Sequence, residues 1–127
     1  MRVLLDTHVL LWWMAEMPRL GSAARAAIDS PETDVHISAV TVGEIEIKRA
    51  LGKLDAPDDM PEQMDRHGFT ELPLTVRHAV AVRELPLHHK DPFDRMLVAQ
   101  ARVEGLTLVT ADRAISKYDV RILPAGD

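Results

Sequence analysis

The chain has no cysteine, few aromatic residues, and no apolar run long enough to cross a bilayer. The missing cysteine excludes disulfides and thiolate metal sites and fits a reducing compartment, so a cytoplasmic location is expected. The N-terminal stretch "VLLDTHVLLWWM" (3–14) is broken by Asp6 and His8, and it lacks the basic start and small-residue cleavage site of a signal peptide. A soluble protein with no membrane partner is expected. Positive charge is also in short supply: 15 Lys and Arg against 20 Asp and Glu leave a formal net charge of -5. That excludes a broad basic surface that grips nucleic acid through phosphates alone. Phosphate chemistry here would need metal ions or a few local cations.

What is present suffices for one core. The chain has 127 residues, 46% of them hydrophobic, which predicts a single domain over 1–127. "RVLLD" (2–6) reads as a buried strand and "THVLLWWMAE" (7–16) as a helix. Pro18 and Gly21 punctuate the chain, and Ser22 is placed to cap a helix over 23–29 that closes at Ser30-Pro31. "DVHIS" (34–38) is a second strand; Ser38 caps a helix over 39–51, with Gly52 just past its end. The acidic, proline-rich "DAPDDMPE" (55–62) reads as a loop leading into a weak helix up to His67. A short strand over 70–74 follows, then a helix over 76–85 capped by Thr75 and a loop over 86–92. A helix runs from Pro92 to about Glu104, stopped by Gly105, with Asp91 as N-cap, Pro92 at the first helical position and Asp94 at the third. Strands over 106–110 and 120–123 complete the chain. Alternating strands and helices imply an α/β domain with a mainly parallel sheet flanked by helices.

In right-handed βαβ crossovers, strand C-termini and the N-termini of the following helices share one edge of the sheet. Asp6 ends the first strand, Asp112 lies two residues past "LTLVT", and Asp94 is in the first turn of its helix. Glu44 should lie near the same edge, on a helix face shared with Val40, Ile47 and Leu51 that is expected to pack toward the sheet. Each acid has an ordinary explanation: Asp6 and Asp112 as caps, Asp94 as a helix-dipole partner, Glu44 as a partner of Lys48 at i+4. Four at one edge are harder to explain that way. Crowded carboxylates call for neutralisation, and their hard oxygens select Mg²⁺ or Mn²⁺. Two such ions would polarise a phosphodiester and activate water.

The segments "LLDTHVLLWW", "ISAVTVGEIEIKRALGKL", "LPLHHKDPFDRMLVAQA", "LTLVTAD" and "YDV" resemble the PIN-domain family, specifically its VapC-type ribonuclease toxins, over essentially the whole chain. The resemblance implies a three-layer α/β/α sandwich and places the family's acidic quartet on Asp6, Glu44, Asp94 and Asp112. Asp94 is chosen over Asp91 because it immediately precedes the family's helix pattern. Also implied are one or two Mg²⁺ or Mn²⁺ ions, endonucleolytic cleavage of RNA to 5′-phosphate and 3′-hydroxyl ends, a homodimer, and a small cognate antitoxin. Gly43 departs from relatives that carry a bulky residue there.

Around the quartet, Thr7 and Thr110 either orient a ligand or water or simply finish their elements. Lys48 and Arg95 either touch substrate phosphates or pair with Glu44 and Asp91 at i+4. Adjacent His88 and His89 lack zinc-pair spacing and read as exposed loop residues or RNA contacts. His8, one turn into the first helix, reads as core or surface packing, with an approach to the site from its wall as the alternative. "VLLWWM" (9–14) has more apolar surface than one helix face needs, which leaves burial and an interface both open. A haloacid-dehalogenase-type phosphatase would need an aspartate where His8 stands. A non-catalytic RNA- or protein-binding member of the same fold would lack an acid, and none is missing.

Overall fold

The computed structural model describes residues 1–126; Asp127, the last residue of the expected domain, lies outside them. Five strands, β1 (Arg2–Leu5), β2 (Asp34–Ser38), β3 (Thr70–Leu72), β4 (Thr107–Thr110) and β5 (Ile122–Pro124), form one sheet in the order β3-β2-β1-β4-β5. Every pairing is parallel, with Val3 opposite Val35 on one side and Thr107 on the other. From β1 the chain steps one way to β2 and β3, then returns across β1 to β4 and β5. The order therefore reverses beside β1, the kind of point where open α/β sheets place ligands.

The helices are α1 (Thr7–Met14), α2 (Ser22–Asp29), α3 (Ala39–Ala50), α4 (Met60–Arg66), α5 (Val76–Ala81) and α6 (Pro92–Glu104). Side chains alternate across β1: Val3 and Leu5 join a core with Val9, Leu10, Ile28 and Met60, while Leu4 joins the opposite core with Leu97, Val98 and Leu108. Helices thus cover both faces, as expected for an α/β/α sandwich.

Most local signals are borne out. Ser38 caps α3 by accepting from the Val40 amide, Thr75 and His78 form a reciprocal cap on α5, and Gly105 ends α6 with φ +67°. Several bounds shift: the strands expected over 70–74, 106–110 and 120–123 run Thr70–Leu72, Thr107–Thr110 and Ile122–Pro124. The N-cap of α2 is Gly21, with Ser22 already helical; α1 ends at Met14; and the helix over 76–85 tightens into a 3₁₀ turn at Val82–Glu84. "VLLWWM" is absorbed by burial: Val9, Leu10 and Trp12 are buried, and Trp13 packs edge-on against His67 while donating its indole N–H to Asp29 at 2.8 Å. No helix among the described residues is long and apolar enough to cross a membrane.

Candidate active site

The first acid sits where β1 gives way to α1. Asp6 Oδ1 accepts the Val9 amide at 2.9 Å, so the residue does cap the helix. Its Oδ2 accepts the hydroxyl of Thr110 at the end of neighbouring β4, and the same hydroxyl oxygen accepts the Asp112 amide at 3.0 Å. Thr110 therefore ties two acids together across the strand boundary. Burial pushes the Asp6 carboxyl above its ordinary range, against the opposing hydrogen bonds from Thr110 and Val9.

Glu44 is only 3% exposed, and both of its oxygens are engaged: Oε1 accepts the Thr7 hydroxyl at 2.7 Å, and Oε2 pairs with Lys48 Nζ at 2.5 Å. The expected packing face of α3 is corrected here. Val40 and Glu44 are buried, but Ile47 and Leu51 are 51% and 63% exposed. Thr41 and Ile45 are the residues fully buried beside them, because only the first two turns of α3 lie under neighbouring elements. An added Cβ at Gly43 meets nothing within 4 Å, so no close contact demands glycine before Glu44.

Asp91 and Asp94 separate as the sequence suggested. Asp91 Oδ1 accepts the amides of Phe93 and Asp94, with Pro92 opening α6. Asp94 has its carboxyl pushed up to about 7, first by burial and then by the charge of Asp91, with Glu44 and Asp6 adding to the rise and His89 opposing it. Asp112 goes the other way. Burial raises it, but hydrogen bonds from His89 and the backbone of Ala114 and Ile115 outweigh this and hold it below the ordinary carboxylate range. Lys48 is raised chiefly by its hydrogen bond to Glu44, with Asp91 and Asp94 contributing. The four acids are thus close enough to feel one another's charge.

Two residues differ from expectation. His89 is not an exposed loop residue: its Nε2 lies 2.9 Å from Asp112 Oδ2 and 3.1 Å from Asp94 Oδ2. The donor atoms of His89, Asp94 and Asp112 all fall within 4.8 Å of one another, a spacing that would suit a cation. However, Nδ1 of His89 accepts the Asp91 amide at 3.1 Å, which leaves the ring proton on Nε2. In this arrangement His89 donates to the carboxylates, and ligation through Nε2 would require Nδ1 to give up that bond.

Arg95 neither pairs with Asp91 nor is free for phosphate. Its guanidinium donates to the carbonyls of Val82, Leu85, Pro86 and His89 and to the Tyr118 hydroxyl, at 3.0–3.4 Å. It holds the loop that carries His89. His88 is exposed, with its ring 5.0 Å from that of Tyr118. His8 is exposed as well, and it lines a cavity shared with Asp6 and Asp112. Its place on the wall of the site is the alternative to packing that the sequence leaves open.

The donor set of carboxylate oxygens, with acids outnumbering cations, fits Mg²⁺ or Mn²⁺ in chemistry. The sequence model of the PIN domain matches residues 3–121. The chain is 34% identical over 124 residues to "Ribonuclease VapC22" of Mycobacterium tuberculosis, a match covering 91% of each protein. Its fold resembles VapBC2 from Rickettsia felis, solved bound to a DNA fragment from the promoter, with TM-score 0.72, 12% identity and 98% of each chain covered. It also resembles DNA-bound VapBC from Salmonella typhimurium, with TM-score 0.68, 18% identity and 98% of each chain covered. A parallel five-stranded sheet with acids gathered at its point of reversal, and a sequence match over nearly the whole chain, lead to one assignment: the chain belongs to the PIN domain family, among its VapC proteins.

Proposed function

We propose that this chain, as one PIN domain over 1–127, is a divalent-cation-dependent endoribonuclease and the toxin of a toxin–antitoxin pair. One observation carries the reading: Asp94 and Asp112 converge on His89 Nε2 at 3.1 and 2.9 Å, Thr110 joins Asp112 to Asp6, and burial first, then the charges of Asp91, Glu44 and Asp6, push the Asp94 carboxyl up to about 7. A bound Mg²⁺ or Mn²⁺ compensates those charges, polarises a phosphodiester and lowers the pKa of a bound water.

The chain's own residues prepare the site. Thr110 and the Val9 amide fix Asp6, while Thr7 and Lys48 fix Glu44, so two acids are oriented by the fold itself. Asp94 would give up its proton to hold a cation, and Asp112, held below the ordinary carboxylate range, is ionised at neutral pH. We assign Asp6 and Asp94 as principal ligands, with Glu44 and Asp112 completing the set directly or through water. Thr7, Thr110 and Lys48 act as positioning residues through the acids they hold. Water then attacks phosphorus in line and the 3′-oxygen departs, leaving 5′-phosphate and 3′-hydroxyl ends.

VapBC relatives are solved as complexes, which supports a small cognate antitoxin as partner. Exposed Leu74, Val76, Val80 and Leu87, around α5, offer apolar surface for a homodimer. The test is an RNA cleavage assay with EDTA, Mg²⁺ and Mn²⁺ arms, using Asp6→Asn and Asp94→Asn. Loss of cutting with EDTA and in both variants is expected; full activity in either purified variant overturns the assignment.

A further inference from the structure

Asp6 and Asp112 border a second space besides the carboxylate cluster. With Ala111, His8, Trp12 and Arg19 they line a cavity of about 230 Å³. The Arg19 guanidinium lies over the indole of Trp12, 4.7 Å from the ring centroid. Trp12 is itself only 9% exposed, so the surface that a ligand meets is the exposed guanidinium and the exposed imidazole of His8. His8 is one turn before Trp12 on α1, with ring centroids 6.0 Å apart and planes tilted by 42°.

Arg19 differs from the cations the sequence had offered for phosphate. Lys48 is held by Glu44 and Arg95 by four carbonyls and a tyrosine hydroxyl. Among the described residues Arg19 has no hydrogen-bond or ion-pair partner; its contact is the Trp12 face. A guanidinium laid against an aromatic ring has lost much of its torsional freedom, yet its N–H donors remain available. Such a group loses little further entropy when a ligand arrives.

We propose that this cavity binds the nucleotide next to the cleaved bond, with Arg19 and His8 as specificity-determining side chains, an inference that rests on the ribonuclease reading above. An unpaired base stacks on planar cationic and imidazole surfaces, and an arginine beside it meets the base edge. The location fits the chemistry. Asp6 and Asp112 belong to both the acidic cluster and the cavity wall, so a strand whose phosphodiester reaches the carboxylates has its neighbouring nucleotide beside Arg19. On a chain of net charge -5, a local cation here also offsets the repulsion between the acids and the RNA backbone.

The experiment maps cut sites in a random-sequence RNA pool and measures kcat and KM on two oligonucleotides of equal length, one with a base at the flanking position and one abasic there. Wild-type protein should show a base preference at one fixed position beside the cut. Arg19→Ala should flatten it and raise KM roughly ten-fold on the base-carrying oligonucleotide with little change in kcat. On the abasic oligonucleotide the variant and wild type should match. His8→Ala should have a smaller effect in the same direction, and Arg19→Lys, which keeps the charge but not the plane, supplies the comparison if the alanine variant fails to fold. An active wild type whose KM and base preference survive these substitutions overturns the subsite, as does an equal loss on both oligonucleotides. A wild type that cuts no RNA overturns the ribonuclease reading and the subsite with it.

Discussion

Two buried polar clusters flank the sheet, and they are built on opposite plans. In one, Ser38 donates to Gln100 at 2.5 Å, Gln100 reaches the Pro73 carbonyl and His78, and His78 closes on Glu104 at 2.7 Å while capping α5. Donors and acceptors there alternate, and the partly exposed Glu104 is its one carboxylate. In the other, Asp6, Glu44, Asp94 and Asp112 face one another with Lys48 and His89 as the nearest compensation. The first cluster is complete within the fold and ties α3, α5 and α6 together. The second holds a surplus of one charge that the fold alone leaves unneutralised, which is what a cation site requires.

Neutralising an acid should therefore have opposite effects on activity and stability in the second cluster. Asp94→Asn should lower RNA cleavage by about 10²–10³-fold, as removing one electrostatic group from a reaction site does. Its cation-free melting temperature at pH 8 should hold or rise, since a like charge has been removed. Steady-state kinetics and thermal melts check the two halves.

The first cluster should respond the other way. Gln100→Ala leaves the Ser38 hydroxyl without its acceptor and should cost about 1–3 kcal/mol in stability. The kcat of the folded fraction should be unchanged; urea titration and a cleavage assay at low temperature would separate these effects.

Stability should also depend on pH through the second cluster. The Asp94 carboxyl is raised from 3.8 to about 7, so the folded state holds a proton that the unfolded state has released between those values. Unfolding stability from this group falls as pH climbs through that window and is lowest above it. Asp6, raised in the same direction, reinforces the trend, whereas Asp112, lowered, acts only near and below the ordinary carboxylate range. Saturating Mn²⁺ should therefore raise the melting temperature more at pH 8 than at pH 5.5, because protons compete with the cation at the lower pH.

The smallest effect should come from His89→Ala. If His89 donates to the carboxylates, as the Asp91 amide on its Nδ1 indicates, cation affinity measured by calorimetry should be unchanged or slightly tighter. A ten-fold or greater weakening would instead make His89 a ligand.

The elements legible in the sequence are those set by local rules. The caps at Ser38, Thr75, Asp91 and Gly105, and the short apolar strands, are encoded within a few residues of where they act. Asp6, Asp94 and Asp112 were legible because parallel topology converts a strand end or a helix start into a place on one edge. Glu44 was placed near that edge correctly, but for a face of α3 that the fold exposes at Ile47 and Leu51. His89 and Arg95 were misjudged for a shared reason. The loop that carries His89 is held by Arg95 of α6 and takes its course from Tyr118, 23 residues beyond Arg95, and no periodicity announces a contact of that range.

Asp6 joins two demands in one carboxylate. Its Oδ1 starts α1 by meeting the Val9 amide, so replacement by alanine would confuse a folding defect with a lost ligand, whereas asparagine keeps the acceptor and removes the charge. The same logic bears on how this gene would decay. A copy released from selection for cutting, but still selected to fold and hold its partner, should keep Asp or Asn at position 6 while Asp94 drifts. Among homologues, an asparagine at position 6 would then mark a retired nuclease whose scaffold is still in use.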